Sequence, residues 1–468
     1  MTLVLIIDCI VVLLLCSTAL TKGFERTLPL AAFLIILFPF ESQIILPGFF
    51  VLTTQRIIVV TLAGLYLFVG RRNQTRELPL KYLVLLLMAW MLVSTANSVV
   101  FIISLKAVLS QFFDFFVIYY IFAKSVSKSE TVHQILFGFV LGMFVCSVFG
   151  FLEAYWNWSV INLFPAAAHT FSNLPGAADR SDRVQSSFGH AILFGGALAM
   201  AIPMAFYLVM QAKTSARKIF LWSAILLMFV NLFKTTSRGP WIAAIMSVTL
   251  SLLGGGRKMR RYLAVIGLLV TLTLVARPGV WETIRNLYGE TLDSETAQGA
   301  SYEWRYALYH VAFQHLNNDL GRAIWGYGPE SFLYLGWKGE FQGAVVPFES
   351  CDSSVAELMI ETGYLGFFIV VILFFAAVLF GLKSYFKMPR PSNSLCLVLL
   401  ASLLAFYFLM TNVAILGWGQ QSYMLWIVLA LTMTYPGLVK RGVRRLQPTP
   451  ESNASPALVP LTTNALRA

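Results

Sequence analysis

Charged side chains are scarce in this sequence: Asp, Glu, Lys and Arg supply 12% of its 468 residues, whereas 58% are hydrophobic. That is about half of the charge found in an ordinary soluble domain. Apolar runs recur at close to the ~20 residues that a helix needs to cross a ~30 Å hydrocarbon core. The short alternating segments of a membrane β-barrel are not the pattern of this chain. The sequence therefore predicts an all-α polytopic membrane protein.

Cysteine and the motifs of metal and nucleotide chemistry are also scarce. The five cysteines are too few and too scattered for a disulfide framework. Four of them lie in apolar runs, and Cys351 lies in a long polar segment. The sequence contains no His-Glu-x-x-His, no paired-cysteine motif and no phosphate-binding loop. We therefore expect no metal and no other cofactor, and a donor substrate that carries its own leaving group.

The formal charge of +12 is distributed as a topology signal rather than as a site for nucleic acid. Most of the 34 basic residues fall in short clusters between apolar runs, and short basic loops mark the cytoplasmic side of a membrane protein. The clusters are Lys22/Arg26, Arg71/Arg72/Arg76/Lys81, Lys124/Lys128, Lys213/Arg217/Lys218, Arg257/Lys258/Arg260/Arg261, Lys383/Lys387/Arg390 and Lys440/Arg441/Arg444/Arg445. They place the C-terminus in the cytoplasm, with residues 440–468 as a disordered tail.

The apolar runs predict 12 or 13 transmembrane helices and one large loop. The candidate spans are 3–20, 28–46, 52–70, 79–98, 105–123, 131–153, 188–210, 216–234, 239–254, 261–277, 361–382, 393–411 and 421–439. With these spans, every basic cluster lies on one side. Residues 1–277 then form transmembrane helices with a short outer loop at 156–187, residues 278–360 form a large outer loop, and residues 361–439 form the C-terminal transmembrane helices.

Besides Lys106 and Arg467, ten basic residues lie outside those clusters, and a phosphate-bearing ligand would explain positive charge on the disfavoured outer side. Arginine suits this role because its planar fork binds phosphate in a bidentate manner and stays protonated. The ten are Arg56, Arg180, Arg183, Lys234, Arg238, Arg277, Arg285, Arg305, Arg322 and Lys338. Arg238 follows two threonines and a serine and precedes Gly239-Pro240 at a junction of two spans. The alternative for Arg238 is a side chain that snorkels to the membrane interface.

Other ionisable residues lie at or within spans. His190 precedes an apolar run at an outer junction, so it is either a proton carrier near neutral pH or a hydrogen-bonding group at a helix start. Lys106 and Asp114 lie within one span on roughly one helix face. They either pair with each other or mark a path for lipid.

The large outer loop contains a predicted amphipathic helix over Ser301–Leu316, with Ser301 as a plausible N-cap. Two apolar stripes follow at helical spacing, and Arg305 lies between them. Beyond this helix, Gly326-Tyr327-Gly328-Pro329 predicts a turn. The many aromatic residues of the loop either stack on sugar rings or pack in the core of the loop.

The loop ends in the stretch Asp352-Ser-Ser-Val-Ala-Glu-Leu-Met-Ile-Glu-Thr-Gly-Tyr-Leu-Gly366, which leads directly into the next span. It brings the carboxylates of Asp352, Glu357 and Glu361 to the membrane boundary, where polar side chains are costly to keep without a task. Asp352 is either a general base, provided that its environment sets a suitable pKa, or a cap of the following helix.

Three motifs in this order resemble the O-antigen ligase and Wzy-type polymerase superfamily of bacterial surface polysaccharide assembly. They are Ser237-Arg238-Gly239, Glu303-Trp304-Arg305 followed by Gly326-Tyr327-Gly328, and Asp352-Ser-Ser with Glu361-Thr-Gly-Tyr-Leu-Gly366. The resemblance covers about 180–390 and implies an all-helical, GT-C-like fold in the bacterial inner membrane, with the large loop in the periplasm. It also implies transfer of a glycan from an undecaprenyl pyrophosphate carrier without metal.

The resemblance implies roles for individual residues as well. Arg238 and Arg305 would hold the pyrophosphate of the donor, and Asp352 stands where ligases have a histidine that is their proposed base. The stretch from Arg183 to Pro203 is more similar to exopolysaccharide polymerases than to ligases. We therefore predict Arg238, Arg305 and Asp352 as catalytic residues, and Arg183, His190, Trp304 and Glu357 as substrate-binding residues.

Three functions remain open from the sequence. The leading hypothesis is a polymerase that joins lipid-pyrophosphate-linked oligosaccharide repeat units at the periplasmic face. The first alternative is an O-antigen-type ligase that passes glycan to a lipid or protein, and the second is a lipid-linked oligosaccharide flippase or other transporter. A transporter predicts related halves and charges at mid-membrane, whereas the unusual charges of this chain gather beside one large loop. Expected partners are the lipid bilayer, the undecaprenyl-pyrophosphate-linked oligosaccharide, and a chain-length regulator and flippase of the same pathway.

Overall fold

The protein is an all-α polytopic membrane protein. Its computed structural model describes residues 2–45, 51–70, 78–164, 183–277, 297–348, 350–417 and 419–446, with positions 279, 281, 282, 285, 286 and 289. Within these ranges, seven helices are long and apolar enough to cross a membrane, and three shorter apolar helices accompany them.

Helices make up most of the described residues, and the strands found there form two short hairpins. In chain order the helices are α1 Thr2–Lys22, α2 Thr27–Leu37, α3 Thr54–Leu65, α4 Lys81–Ala96, α5 Phe101–Gln111, α6 Ile118–Ser125, α7 Ser129–Trp156, α8 Ala191–Gln211, α9 Ser215–Lys234, α10 Arg238–Gly254, α11 Arg257–Ala276, α12 Ala297–Asn318, α13 Leu320–Trp325, α14 Ser354–Lys387, α15 Asn393–Leu409 and α16 Gly419–Leu446. Both hairpins are antiparallel: β1 Gln43–Ile44 pairs with β2 Leu52–Thr53, and β3 Lys338–Phe341 pairs with β4 Ala344–Pro347.

Each of the thirteen predicted spans overlaps helical structure, and a π-helical segment at Phe112–Val117 joins α5 and α6 into one span. The prediction of a helix over 28–46 is wrong in its second half, because α2 ends at Leu37. Phe38 is extended, as expected for a residue that precedes a proline, and Pro39 has no N–H with which to continue the helix. The chain then turns into β1.

Helix α8 lies at the centre of the bundle, where almost all of its side chains are buried. Its small residues permit close approach of its neighbours, as is usual between transmembrane helices. A Cβ on Gly195 would lie 2.6 Å from Pro240 of α10, and a Cβ on Gly196 would lie 2.3 Å from Gln421 of α16. Helix α8 therefore sets the relative positions of α16 and of α10, which begins at Arg238 of the site described below.

A buried ion pair joins α3 to the π-helical segment. Arg56 Nη2 lies 2.9 Å from Asp114 Oδ2, and the hydroxyl of Tyr423 donates to Asp114 Oδ1 at 2.5 Å. Arg56 Nη1 also donates to the carbonyl of Val51 at 2.5 Å. Asp114 therefore pairs with Arg56 and not with Lys106, and the expectation that Arg56 serves a phosphate ligand is replaced by a structural role.

Asp114→Leu should lower the free energy of unfolding by about 3–5 kcal/mol, because Arg56 would keep its charge in the interior without an anion. Replacing all three groups in Arg56→Met/Asp114→Leu/Tyr423→Phe should restore much of the loss, since a well-packed apolar substitute for a buried pair is often neutral. Thermal melting of the purified variants, followed by intrinsic fluorescence, checks both expectations. Equal melting of Asp114→Leu and the wild type would contradict the structural role of the pair.

Residues 297–348 pack with the first turns of α14 into a compact unit, which we call the loop subdomain. The end of the bundle at which it lies is called the loop end. The core of the loop subdomain is formed by Leu308, Val311, Ala312, Phe332, Trp337, Phe348, Cys351, Ala356 and Ile360. The predicted amphipathic helix is present, but it begins at Ala297, so Ser301 lies inside it and is not the N-cap. Most of the remainder of the predicted loop, from 278 to 296, lies outside the described residues.

Candidate active site

The turn between α9 and α10 positions Arg238 at the start of a helix. Side chains of the turn hold its own backbone: Thr235 Oγ1 donates to Leu232 O at 2.7 Å, and Ser237 Oγ donates to Thr235 O at 2.9 Å. Thr236 has a φ of 45°, which is a strained conformation for a β-branched residue. Such strain persists only where the surroundings enforce it, and it concentrates at functional sites.

Arg183 and His190 lie beside that turn. The N–H of Val184 donates to the carbonyl of Lys234 at 3.3 Å, which places Arg183 at the end of α9. His190 is the N-cap of α8, where its Nδ1 accepts from the N–H of Ile192 at 3.3 Å. One of the two alternatives for His190, a hydrogen-bonding group at a helix start, is thus observed; its assignment as a substrate-binding residue stays a prediction.

Arg305 and Asp352 are in contact on the opposite side of the site. Arg305 Nε donates to the backbone carbonyl of Asp352 at 3.4 Å, from the middle of α12 to the residue that precedes the cap of α14. Asp352 is half-buried, and its Oδ1 accepts from Ser350 Oγ at 3.1 Å. The structure therefore brings together two residues that the sequence places 47 positions apart.

The N-cap of α14 is Ser353, and not Asp352. Ser353 Oγ accepts from the N–H groups of Val355 and Ala356 at 3.2 and 3.5 Å, which is the standard geometry of a serine cap. The hydroxyl of Tyr309 lies 2.6 Å from the same oxygen. The alternative that Asp352 serves as the helix cap is therefore excluded.

The segment between α15 and α16, residues 410–417, connects the two sides of the site. Ser354 Oγ accepts from the N–H groups of Ile415 and Leu416 at 2.7 and 3.1 Å. At the Arg238 side, a Cβ on Gly239 would lie 3.5 Å from the side chain of Asn412. The Arg238 turn and the start of α14 thus rest on one segment, at the loop end of the bundle.

Two glycines allow the predicted turn at 326–329 to cross a break in α14. The break is at Gly363, with φ 69° and ψ 179°. A Cβ on Gly363 would lie 2.2 Å from the carbonyl oxygen of Ile324, and a Cβ on Gly326 would lie 2.4 Å from that of Glu361. Only glycine fits such a crossing, because its two backbones are nearly in contact.

Breaking a helix leaves carbonyl groups that need new donors. The N–H of Tyr327 donates to Ile360 O, and the N–H of Gly328 donates to Glu361 O, both at 2.9 Å. From α4, Trp90 Nε1 donates to Thr362 O at 2.8 Å. The glycine-tyrosine-glycine turn is therefore a backbone clamp on α14, which explains why it occurs beside the Glu-Thr-Gly run.

Three carboxylates gather at this clamp. Glu361 Oε1 accepts from the N–H of Glu330 at 2.8 Å, and Glu330, Glu357 and Glu361 are close enough to repel one another. Glu330 has a strained φ of 59°. Although solvent reaches its side chain, the surrounding protein raises the pKa of Glu330, and Arg56 opposes that rise. Glu357, a predicted binding residue, thus belongs to a cluster of acids.

The pKa shifts of Cys351 and Tyr309 agree with the positions of the carboxylates and of Arg305 described above. Burial raises the pKa of the Cys351 thiol well above its usual value, and Glu357, Glu361 and Asp352 add to the rise because all three carboxylates lie near it. Burial also raises the pKa of Tyr309, while its hydrogen bond to Ser353 and the nearby Arg305 oppose this effect. The hydroxyl of Tyr309 is therefore uncharged at neutral pH.

Trp304 packs within the loop subdomain. Its ring contacts Phe341 and Phe348 edge to face, with centroids 5.2 and 5.0 Å apart. These contacts match the core-packing alternative for the loop aromatics. The assignment of Trp304 to substrate binding stays a prediction. Sequence reasoning missed Tyr309 and Glu330. The available signal in the sequence was position: Tyr309 lies four residues after Arg305, and Glu330 follows the Gly-Tyr-Gly turn.

Comparison with known proteins assigns this part of the chain to a family. A family model described as Wzy_C, O-Antigen ligase, matches residues 223–371. This stretch is therefore similar to the O-antigen ligase and Wzy-type superfamily that the motifs of the sequence indicated. The family implies a membrane glycosyltransferase-like enzyme that acts on a lipid-linked glycan. No curated protein matches the chain.

Proposed function

We propose, from the premise of an O-antigen ligase-type domain over residues 223–371, that this chain is a polysaccharide polymerase. It joins oligosaccharide repeat units carried on undecaprenyl pyrophosphate, at the periplasmic face of the bacterial inner membrane. The reaction is a glycosyl transfer that uses neither metal nor nucleotide. The C-terminal tail lies in the cytoplasm in this proposal, and a chain-length regulator and a flippase of the same pathway are its partners.

The contact between Arg305 and Asp352 is the observation that supports this proposal most directly. It holds the Arg305 guanidinium against the backbone carbonyl of Asp352, the residue whose carboxylate is half-buried before the first turn of α14. A second cation, Arg238, follows a strained turn that contacts the 410–417 segment. Cations suit a pyrophosphate leaving group, and a carboxylate suits the removal of a proton from a hydroxyl. A transporter has no evident need for that pairing.

In the proposed reaction, a hydroxyl oxygen of the acceptor glycan attacks the anomeric carbon of the donor glycan. The bond from that carbon to the phosphate oxygen breaks, and undecaprenyl pyrophosphate leaves with the bonding electrons. Arg238 and Arg305 stabilise the negative charge that develops on the leaving group. Asp352 takes the proton of the attacking hydroxyl.

The choice of polymerase over ligase rests on two features of the sequence. Asp352 stands where ligases have histidine, and Arg183–Pro203 is more similar to exopolysaccharide polymerases. The description of the matching family, O-Antigen ligase, keeps the ligase as the second candidate. The two differ in acceptor and not in bond chemistry.

Purified protein in lipid, given an undecaprenyl-pyrophosphate oligosaccharide without metal or nucleotide, should produce a ladder of products with repeat-unit spacing on a gel. The donor should carry the repeat unit isolated from the source cells, so that its sugars are the right ones. A donor that stays unchanged until a second acceptor lipid is added would identify the ligase. A donor that crosses the bilayer intact, without any transfer, would contradict both and identify a transporter.

A further inference from the structure

An open groove of about 490 Å³ lies next to the clamp on α14. It is lined by Val93, Ala96, Asn97, Asp319, Gly321, Arg322 and Trp325. The first three come from the end of α4, and the others come from the start of α13 and its last residue. A volume of this size is typical of sites for small organic ligands, which range over roughly 300–1,000 Å³.

Trp325 gives the groove a rigid aromatic wall. Its ring stacks on that of Trp90, with centroids 4.8 Å apart and an angle of 17° between the planes. Trp90 is fixed in turn by its hydrogen bond to Thr362. Trp325 remains 36% exposed, so part of its indole is available to a ligand in the groove. A flat apolar surface of this kind suits the apolar face of a pyranose ring.

The polar groups of the groove are also held in place. Arg322 Nη1 donates to the carbonyls of Asn97 and Gly326 at 2.7 and 3.2 Å, and its guanidinium lies 4.8 Å over the ring of Tyr327. Asp319 Oδ1 accepts from the N–H groups of Gly321 and Arg322 at 2.8 and 3.3 Å. A carboxylate, a guanidinium and an aromatic ring are thus presented at fixed positions around one space.

The charge balance of the groove indicates the class of ligand. Asp319 and Arg322 offset each other, and a carboxylate beside the cation would repel a phosphate or pyrophosphate group. A neutral ligand rich in hydroxyl groups can donate to Asp319 and accept from Arg322 without that cost. The combination of ring and paired polar groups therefore favours sugar over a lipid headgroup.

We propose that this groove, lined by Asp319, Arg322 and Trp325, binds sugar residues of the substrate glycan at a distance from the bond that is made. The proposal rests on the proposed function, because it assumes a glycan substrate. The groove is connected to the acid cluster through α13 and the clamp, since Gly326 and Tyr327 follow Trp325 directly. Its role is to position and select the glycan, not to take part in the chemistry.

Direct binding tests the groove without any turnover. The probe is a set of oligosaccharide fragments that lack pyrophosphate, prepared from the surface polysaccharide of the source cells and titrated by calorimetry. Trp325→Leu should weaken binding at least about five-fold, the loss expected of an aromatic contact, whereas Trp325→Tyr should keep most of it. Trp156→Leu, which removes an exposed indole at the end of α7, is the matched control and should bind like the wild type.

A second variant separates sugar from phosphate. Asp319→Asn retains the acceptor oxygen that caps α13 but loses the charge. Binding of a sugar should fall several-fold, because hydrogen bonds to a charged group are the stronger ones, whereas binding of inorganic pyrophosphate or undecaprenyl phosphate at this groove would rise. Such a rise without any loss of sugar binding, or wild-type protein that binds none of the fragments, would overturn the proposal.

The outcome for the groove is distinguishable from that for the proposed function. If fragments bind and depend on Trp325 while no transfer occurs, the groove is established and the polymerase is wrong. If transfer occurs, Trp325→Leu should raise the KM for a donor with a long glycan about five-fold and leave its kcat nearly unchanged. The KM for a donor that carries a monosaccharide should stay nearly the same. Equal effects on both donors would contradict a groove that acts away from the reacting bond.

Discussion

Arg305→Lys should reduce turnover of the lipid-linked donor by roughly 100- to 1,000-fold, nearly as much as Arg305→Ala. Lysine keeps the positive charge but has no planar fork, so it cannot donate from Nε to Asp352 O and offer two parallel N–H groups to a pyrophosphate. The measurement is the initial rate of glycan transfer with purified protein in lipid, at saturating donor.

Lys338→Ala is the matched control for this variant. Lys338 is an exposed cation on β3 of the same subdomain. If the effect of Arg305 depends on its own contacts and not on the net charge of the subdomain, Lys338→Ala should change the rate less than about two-fold. Wild-type turnover by Arg305→Lys would refute the bidentate role. A much lower melting temperature of Arg305→Lys would instead show that Arg305 serves the packing of α12 against α14. In that case, added guanidinium would not restore the transfer rate.

Asp352→Asn should lower turnover by roughly 100- to 10,000-fold while the protein folds and melts as the wild type does. The amide keeps an oxygen that can accept from Ser350, and the cap of α14 is provided by Ser353. A structural role is therefore preserved in this variant, whereas the capacity to take a proton is lost. The same transfer assay, at several pH values, measures the loss.

The control for Asp352→Asn is Glu340→Gln, which neutralises an exposed carboxylate on β3. It should have no measurable effect on the rate. Retained turnover in Asp352→Asn would exclude Asp352 as the base and direct attention to Glu357 and Glu330, which lie near the same thiol or in the same acid cluster.

Hydropathy alone predicted the helical membrane fold, because a span must be apolar over most of its length whatever it packs against. It failed where local chemistry overrides hydropathy, as at Pro39, where α2 has already ended. The hairpin of β3 and β4 was also missed. Its turn, Gln342-Gly343, has positive φ at both residues, which is the geometry of a two-residue hairpin turn, but glutamine is an unusual first residue for it.

The sequence singles out candidate residues for the site, but it does not predict how they are arranged. Arg305 and Asp352 lie 47 residues apart in the chain, and the Arg238 turn meets α14 only through the 410–417 segment. Distances of this kind depend on how helices pack, and hydrophobic periodicity carries no information about them. The buried pair of Arg56 with Asp114 illustrates this limit, since Lys106 was nearer in sequence.

The 410–417 segment has a consequence for how such a site could be moved between proteins. It lies beyond the stretch of 223–371 that matches the family, as does α4 with Trp90. Transplanting only the matched stretch into another membrane scaffold would transfer Arg238, Arg305 and Asp352 without the 410–417 segment and α4, which hold the surrounding backbone in place. A functional chimaera would need to include the chain from α4 through α16, so the smallest exchangeable unit is most of the protein.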